Sequence, residues 1–186
     1  NGIQAPIYSV SNVNGTEPVN VQVPFELPAG VAAVKVTVSG GSSSIDNVPI
    51  SAVSPGIFET TDSSGRKYAV ATKEVDGSYV STSNPARRGD VIRVYLTGLG
   101  QVTPATGTNR AGLFGQKVLA PIIVGVNNAG IPLGTAESMP GVIGVYTITF
   151  TVPADAPSGS SIPLSFGVTT PSGTNIYSNT SNFAIQ

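Results

Sequence analysis

The chain of 186 residues contains no cysteine and no histidine. Without cysteine there is no disulfide framework, no thiol nucleophile and no sulfur-ligated metal. Without histidine, a Ser-His-Asp triad and a histidine-ligated zinc are excluded. Charge is scarce too. Charged residues make up 10% of the chain, and the net charge is −1, where ordinary soluble domains carry about 25% charged residues. No run of like charge occurs, so nucleic acid or an anionic membrane has no electrostatic footprint to meet. No apolar run reaches the roughly eighteen residues of a membrane span. No secretory leader pattern and no G-x-x-x-x-G-K-[ST] phosphate loop is present. The chain opens on Asn1-Gly2 rather than Met, which is expected of a piece cut from a longer chain.

What is present reads as β-structure. Apolar residues make up 40%, enough for a packed core, and the 22 glycines and 15 prolines are scattered singly, as turn punctuation. With so few charges, polar coverage falls to Ser, Thr, Asn and Gly, a habit of extracellular β-proteins. The stretch NPARRGDVIRVYLTGLGQVTP, Asn84 to Pro104, organises the rest. Ile92, Val94 and Leu96 alternate with Arg93, Tyr95 and Thr97, the period of a strand with one buried face. Asn84-Pro85 and Gly89-Asp90 turn the chain at its start, and Gly98-Leu99-Gly100 breaks it at its end. The same alternation recurs at Val19 to Val23, Val34 to Val38, Ile162 to Val168 and Phe183 to Ile185. Val48 to Ile50 is a short strand, and Ile122 to Val126 is another. In Val145 to Val152, Tyr146, Ile148, Phe150 and Val152 are expected inward, and Thr147, Thr149 and Thr151 outward. Ile57 to Thr61 and Lys67 to Thr72 flank Asp62-Ser63-Ser64-Gly65, a hairpin. Arg66 to Asp76 is the one helix candidate, yet Tyr68, Val70 and Thr72 favour a strand there. Val102 to Gly115 reads as a long loop.

An internal repeat sets the domain count. VNVQVPFELPAG (Val19 to Gly30) and TITFTVPADAPSG (Thr147 to Gly159) each end an alternating strand at Pro and place Gly six positions later. NGIQAPI at Asn1 also matches NNAGIPL at Asn127 in outline. The fold class expected is all-β: two tandem immunoglobulin-like β-sandwich units, the first incomplete. The expected boundaries are 1–52 for the partial unit and 53–186 for the complete one, including a connecting hairpin at 53–83. A unit of about 50 residues buries too little surface to stand alone. It is expected either to pack on its neighbour or to pair an open edge with another molecule.

Three segments, ISAVSPGIF (Ile50 to Phe58), DGSYVSTSNPARRGDVIRVYLTGLGQVTP (Asp76 to Pro104) and PGVIGVYTITFTVP (Pro140 to Pro153), closely resemble the Solibacter-type C-terminal domain of acidobacterial secreted proteins. VNVQVPFELPAG fits its earlier part, and the resemblance runs in order over nearly the whole chain. Gly89 to Gly100 also resembles the opening of IPT/TIG immunoglobulin-like modules. The resemblance implies secretion or surface display at the end of a larger parent chain, and it supplies no catalytic residues. Gly134 to Ser138 departs from the family pattern, where a more apolar strand is expected.

Candidate chemistry is thin. Among the acids, Glu59, Asp62, Glu74, Asp76 and Asp90 could pair for glycoside hydrolysis or supply oxygen to calcium. Asp62 and Asp76 lie in Gly-containing turns, where Asp serves its own backbone. Arg88-Gly89-Asp90 spells an adhesion tripeptide, but at the head of a core strand it reads as a turn. Arg66, Lys67, Arg87, Arg88 and Arg93 read as scattered solvated charge. Tyr68, Tyr79, Tyr95, Tyr146 and Tyr177 would stack on sugars if they shared an outer face. Asn14-Gly15-Thr16 and Asn179-Thr180-Ser181 match the glycosylation sequon by chance. No catalytic, cofactor-binding or metal residue is assigned, no cofactor is expected, and ligand-binding residues stay unassigned. The expectation is a non-enzymatic extracellular or cell-surface module. Its expected partners are the rest of a parent chain, with a cell-envelope component, a polysaccharide or edge-strand self-association as further candidates; no nucleic acid and no membrane span enter. The alternative is a carbohydrate-binding module using exposed tyrosines.

Overall fold

A computed structural model describes residues 2–186; Asn1, the first residue of the NGIQAPI segment, lies outside the described residues. The described chain is all-β, without a helix. It divides into two compact units, Asn1–Ala52 with Gly107–Arg110, and Val53–Thr106 with Ala111–Gln186. The sequence reading left 107–110 in the second unit.

In the first unit, the partial sandwich expected of the sequence takes the form of two separate antiparallel ribbons. β1 (Ile7–Val10) pairs β2 (Val19–Val21), and β3 (Gly30–Val38) pairs β4 (Gly41–Ile50). β4 is longer than the short strand expected, because Ser39-Gly40 suffices as the turn and Ser42 to Ser44 continue the ladder. A bulge at Asp46–Asn47 is accommodated by Asn47 in the left-handed region, φ 61°. Pro24 is the one buried residue of this unit among the described residues. Residues 107–110 are tied in by hydrogen bonds. Phe25 N donates to Thr108 Oγ1 (2.9 Å), the same hydroxyl donates to the Glu26 carboxylate, and Asn109 N donates to Gln22 Oε1 (2.8 Å). The Thr108 hydroxyl holds the Glu26 carboxyl below its usual range.

The second unit is a β-sandwich of two seven-stranded sheets. One sheet runs β10 (Val102–Thr103), β11 (Lys117–Val118), β14 (Ala136–Ser138), β15 (Tyr146–Thr151), β9 (Val91–Thr97), β5 (Gly56–Ile57), with β8 (Ala71–Lys73) beside β5 on the same edge of β9. The other runs β13 (Ala129–Ile131), β12 (Ile122–Val126), β16 (Gly159–Thr169), β18 (Ser181–Ile185), β7 (Lys67–Ala69), β6 (Glu59–Thr61), with β17 (Asn175–Tyr177) on β16. Among these pairs only β7 and β18 run parallel.

The alternating runs fill the space between the sheets. Ile92, Val94 and Leu96 are fully buried, as are Ile148 and Phe150 beside them, Leu164, Phe166 and Val168 opposite, and Phe183 and Ile185 at the end. Phe150 reaches across the layers to Phe166 and Phe183, with ring centroids 6.4 and 6.0 Å away and tilted planes. That edge-on contact is favourable for aromatic quadrupoles.

The hairpin expected about Asp62–Gly65 forms as β6 against β7, and the segment 53–83 that holds it is a corner of the sandwich. β5 and β8 lie in the first sheet, and β6 and β7 lie in the second. Each arm changes sheets at one residue, Phe58 and Val70, which bond to each other (Val70 N to Phe58 O, 2.7 Å) and to Tyr95 of β9. The helix candidate is therefore the strand pair β7–β8 with a bend at Val70. Switching sheets at a corner answers the β-branched content of this segment better than a helix does.

The two copies of the repeat share local geometry. Leu27 N donates to Pro24 O (3.1 Å) and Ala156 N to Pro153 O (3.2 Å), and Gly30 and Gly159 start the next strands, β3 and β16.

Candidate functional site

Each acid singled out from the sequence is engaged in the framework. Asp62 Oδ1 accepts from Ser64 N (2.8 Å), Ser64 Oγ (2.7 Å) and Arg66 N (2.9 Å), which closes the β6–β7 turn. The Ser64 hydroxyl, then the Arg66 amide, hold its carboxyl below the usual range. Asp76 Oδ1 accepts from Ser78 N (2.9 Å), and Ser78 lowers its pKa likewise. Glu74 and Arg93 form a bidentate pair on neighbouring strand segments, with Nη2 to Oε2 at 2.9 Å. This pair holds the Glu74 carboxyl low and the guanidinium higher than usual. Glu59 lies 3.5 Å from Lys67 across the β6–β7 ladder. Among the described residues no group of three or more acids gathers as a metal cage would require.

The Arg88-Gly89-Asp90 triplet is a closed turn. Asp90 Oδ2 accepts from Arg87 N (2.8 Å), and Asp90 N donates to Arg87 O (3.0 Å). Arg88 is turned onto the β15–β16 connection, where it donates to Ala156 O (2.8 Å) and Ser158 Oγ (3.0 Å). Gly89 N and Asp90 O bond to the two sides of Val152 (2.9 Å each). An adhesion tripeptide must present both charges on a free loop, and here neither is free.

The remaining candidates are dispersed. Arg66 reaches Ser161 Oγ (3.2 Å) beside the second sheet, while Arg93 belongs to the first. Tyr68 and Tyr146 are buried, and Tyr95 is half-buried on β9. Tyr79 and Tyr177 are exposed, but Tyr79 bridges Thr72 of the first sheet and Tyr177 lies in β17 of the second. The five tyrosines thus form no row on one sheet. Asn14 is exposed in its turn, whereas Asn179 is consumed in backbone mimicry, accepting from Ile57 N (2.7 Å) and donating to Ile57 O (3.3 Å). Leu99, within the glycine pair, is a core residue and not part of an anion loop.

Tyr146 carries the clearest pH dependence. Its hydroxyl donates to Gly100 O, and burial pushes the phenol up to about 12. A folded pKa above the unfolded value of about 10 means that this stabilisation is complete below pH ~10 and is lost as pH rises toward ~12. We expect alkaline denaturation curves to lose about 2–3 kcal/mol over that window from this group. Tyr146→Phe should flatten that segment of the curve while costing about 1 kcal/mol at neutral pH, from the carbonyl left unpaired. Parallel curves for the two proteins above pH 10 would contradict this.

One feature escaped the sequence reading. The loop Ala111–Gln116 presents Leu113 and Phe114 to solvent, with Phe114 91% exposed. Its base is rigid. Gln116 is fully buried, its Oε1 accepts from Leu113 N (2.7 Å) and Ser138 Oγ (2.8 Å), and its Nε2 donates to Pro104 O (2.9 Å). The signal was Leu-Phe-Gly inside a loop, two large apolar residues where turn residues are usual.

No family model, curated protein or solved structure matches the chain.

Proposed function

We propose that the chain is a non-enzymatic structural or attachment module of a larger secreted bacterial protein, displayed outside the cell or at its surface. Its second unit serves as a rigid spacer built from immunoglobulin-like layers. The observation that carries this reading is the occupation of the candidate polar side chains. Asp62, Asp76, Asp90, Glu74, Arg88 and Arg93 are held by turns, strand partners and each other, so they stiffen the framework. The resemblance to the Solibacter-type C-terminal domain supports the secreted, chain-terminal placement, and the shared Pro-turn geometry supports two related units. Leu113 and Phe114, presented on a pinned loop, fit attachment, since an ordered apolar pair loses little entropy on docking.

Carbohydrate binding is the alternative, favoured by the exposure of Tyr79 and Tyr177. Affinity electrophoresis in gels containing different soluble polysaccharides, with and without calcium, separates the two. The spacer reading expects the same mobility in every gel. Retardation by one polymer, abolished by Tyr79→Ala or Tyr177→Ala, would replace it with a binding module.

A further inference from the structure

The chain between β1 and β2 turns at Val13–Thr16, and the turn is tied on both sides. Val13 N donates to Thr16 O (2.8 Å) and Thr16 N to Val13 O (3.0 Å). Its two central residues, Asn14 and Gly15, both have positive φ, 53° and 81°. This is the tight turn for which Asn-Gly is the favoured pair. Asn tolerates the left-handed region, and Gly has no Cβ to clash there. The same pair is open to attack by the chain on itself. Gly15 N can close on Asn14 Cγ in a five-membered ring, and glycine has no side chain to crowd the closure.

The other left-handed asparagines among the described residues lack this opening. Asn47, Asn109, Asn127 and Asn128 have φ between 52° and 61°, but Val48, Arg110, Asn128 and Ala129 follow them. Each of those neighbours sets a Cβ beside the attacking nitrogen. Asn84 precedes Pro85, which has no N–H to give up. Asn1-Gly2 repeats the pair in the sequence, with Asn1 outside the described residues.

The turn also restrains the reaction. Gly15 N donates to Asn12 Oδ1 (3.1 Å). The proton that must leave is therefore held by a neutral amide oxygen, too weak a base to remove it. Ring closure further needs Asn14 to swing out of the turn, which opens the two Val13–Thr16 bonds. A turn tip between strands of four and three residues opens locally far more often than the chain unfolds.

We propose that Asn14-Gly15 is a self-modification site and that Asn12 is its brake. When the Asn12 bond opens, Gly15 N loses its proton to solvent and bonds to Asn14 Cγ. The Cγ–Nδ2 bond breaks, and Nδ2 takes up a proton and leaves as ammonia. Water then opens the ring. Addition at Cγ leaves an aspartyl residue at position 14. Addition at the backbone carbonyl carbon leaves an isoaspartyl residue, whose chain runs on through Cβ and Cγ. Water is the only co-reactant. Either product adds one negative charge to a chain whose net charge is −1. The isoaspartyl form also lengthens the backbone inside a two-residue turn. The Val13–Thr16 bonds then cannot both re-form, and the pairing of Val10 with Val19 loses the turn that sets its register. This site acts independently of the spacer reading.

The test ages the whole chain at neutral and at mildly alkaline pH and maps it by peptide mass spectrometry. Fragment ions, which separate position 14 from Asn1, should place a gain of about 1 Da on residue 14, as two products of equal mass. The gain should grow faster at the higher pH. Asn12→Ala should speed it several-fold in the folded chain. In urea, where the Asn12 bond does not exist, the two proteins should age alike. An unchanged residue 14 in the folded chain, at times when the urea sample has converted, would overturn the site. So would equal gains at Asn109 and Asn127. Equal rates for the folded chain with and without Asn12→Ala would overturn the brake.

Discussion

Phe150→Ala is expected to remove about 3–5 kcal/mol from the stability of the second unit, read as a lowered midpoint in urea or thermal unfolding. Phe150 is the contact between layers, donated by β15 of one sheet and packed on Phe166 and Phe183 of the other. It is fully buried, so truncation loses the transfer energy of the ring and leaves a cavity between two sheets that cannot approach each other without moving their ladders. A loss under about 1 kcal/mol would mean that the layers are not packed through this ring.

Gly98→Ala should be at least as damaging, for a different reason. Gly98 has φ 73°, where an added Cβ costs about 1–2 kcal/mol in any surroundings. Here the Cβ would also stand 1.8 Å from Ser54 O. That carbonyl is backbone, and the chain there is fastened to the same turn through Ser54 N to Gly98 O (2.8 Å). Relief requires parting β5 from β9 at the corner of the sandwich. We expect a loss of more than about 4 kcal/mol, beyond the usual range for a point change. Gly89→Ala is the internal control. With φ 86° and no atom within 4 Å of the new Cβ, it should show the backbone cost alone, about 1–2 kcal/mol. Equal effects at the two glycines would remove the steric argument.

Much of the second unit was legible because burial on one face imposes period two. Ile92, Val94 and Leu96, or Ile162, Leu164, Phe166 and Val168, announce both the strand and the face it buries. Alternation does not say what lies over the opposite face. Thr147 and Thr149, expected outward, are only 5% and 9% exposed. Thr149 Oγ1 accepts from Thr135 N (2.8 Å), and Gly134 N donates to Thr149 O (2.8 Å), so a polar segment closes over a position that a solvent-facing threonine would share. The Gly134 to Ser138 region, expected to need a more apolar strand, forms β14 with Ala136 as its one apolar contact to the core. Ser138 is buried there and is satisfied by Gln116, a partner 22 residues away that no local pattern reveals.

The candidate site was legible mainly as local chemistry. The Asp62 and Asp76 turns are decided within a few residues, and the sequence reads such motifs well. The tyrosine platform depended on which sheet each strand joins; for Tyr68 and Tyr79 that is settled by the sheet switch at Phe58 and Val70, and for Tyr177 by the pairing of β17 with β16. In the first unit, the alternation at Val34 to Val38 marked the strand β3, and the structure adds its long partner β4, which the Ser-rich stretch before Val48 did not announce.

The account rests on a closed framework in the second unit, its core strands fixed by burial between two sheets. Amide hydrogen exchange resolved by residue tests it most directly. The account predicts that amides of β9, β15, β16 and β18 exchange only through global unfolding, while those of β1 to β4, whose residues are nearly all exposed, exchange fast. Strong protection of β3 and β4, or fast exchange in β9 and β15, would contradict it.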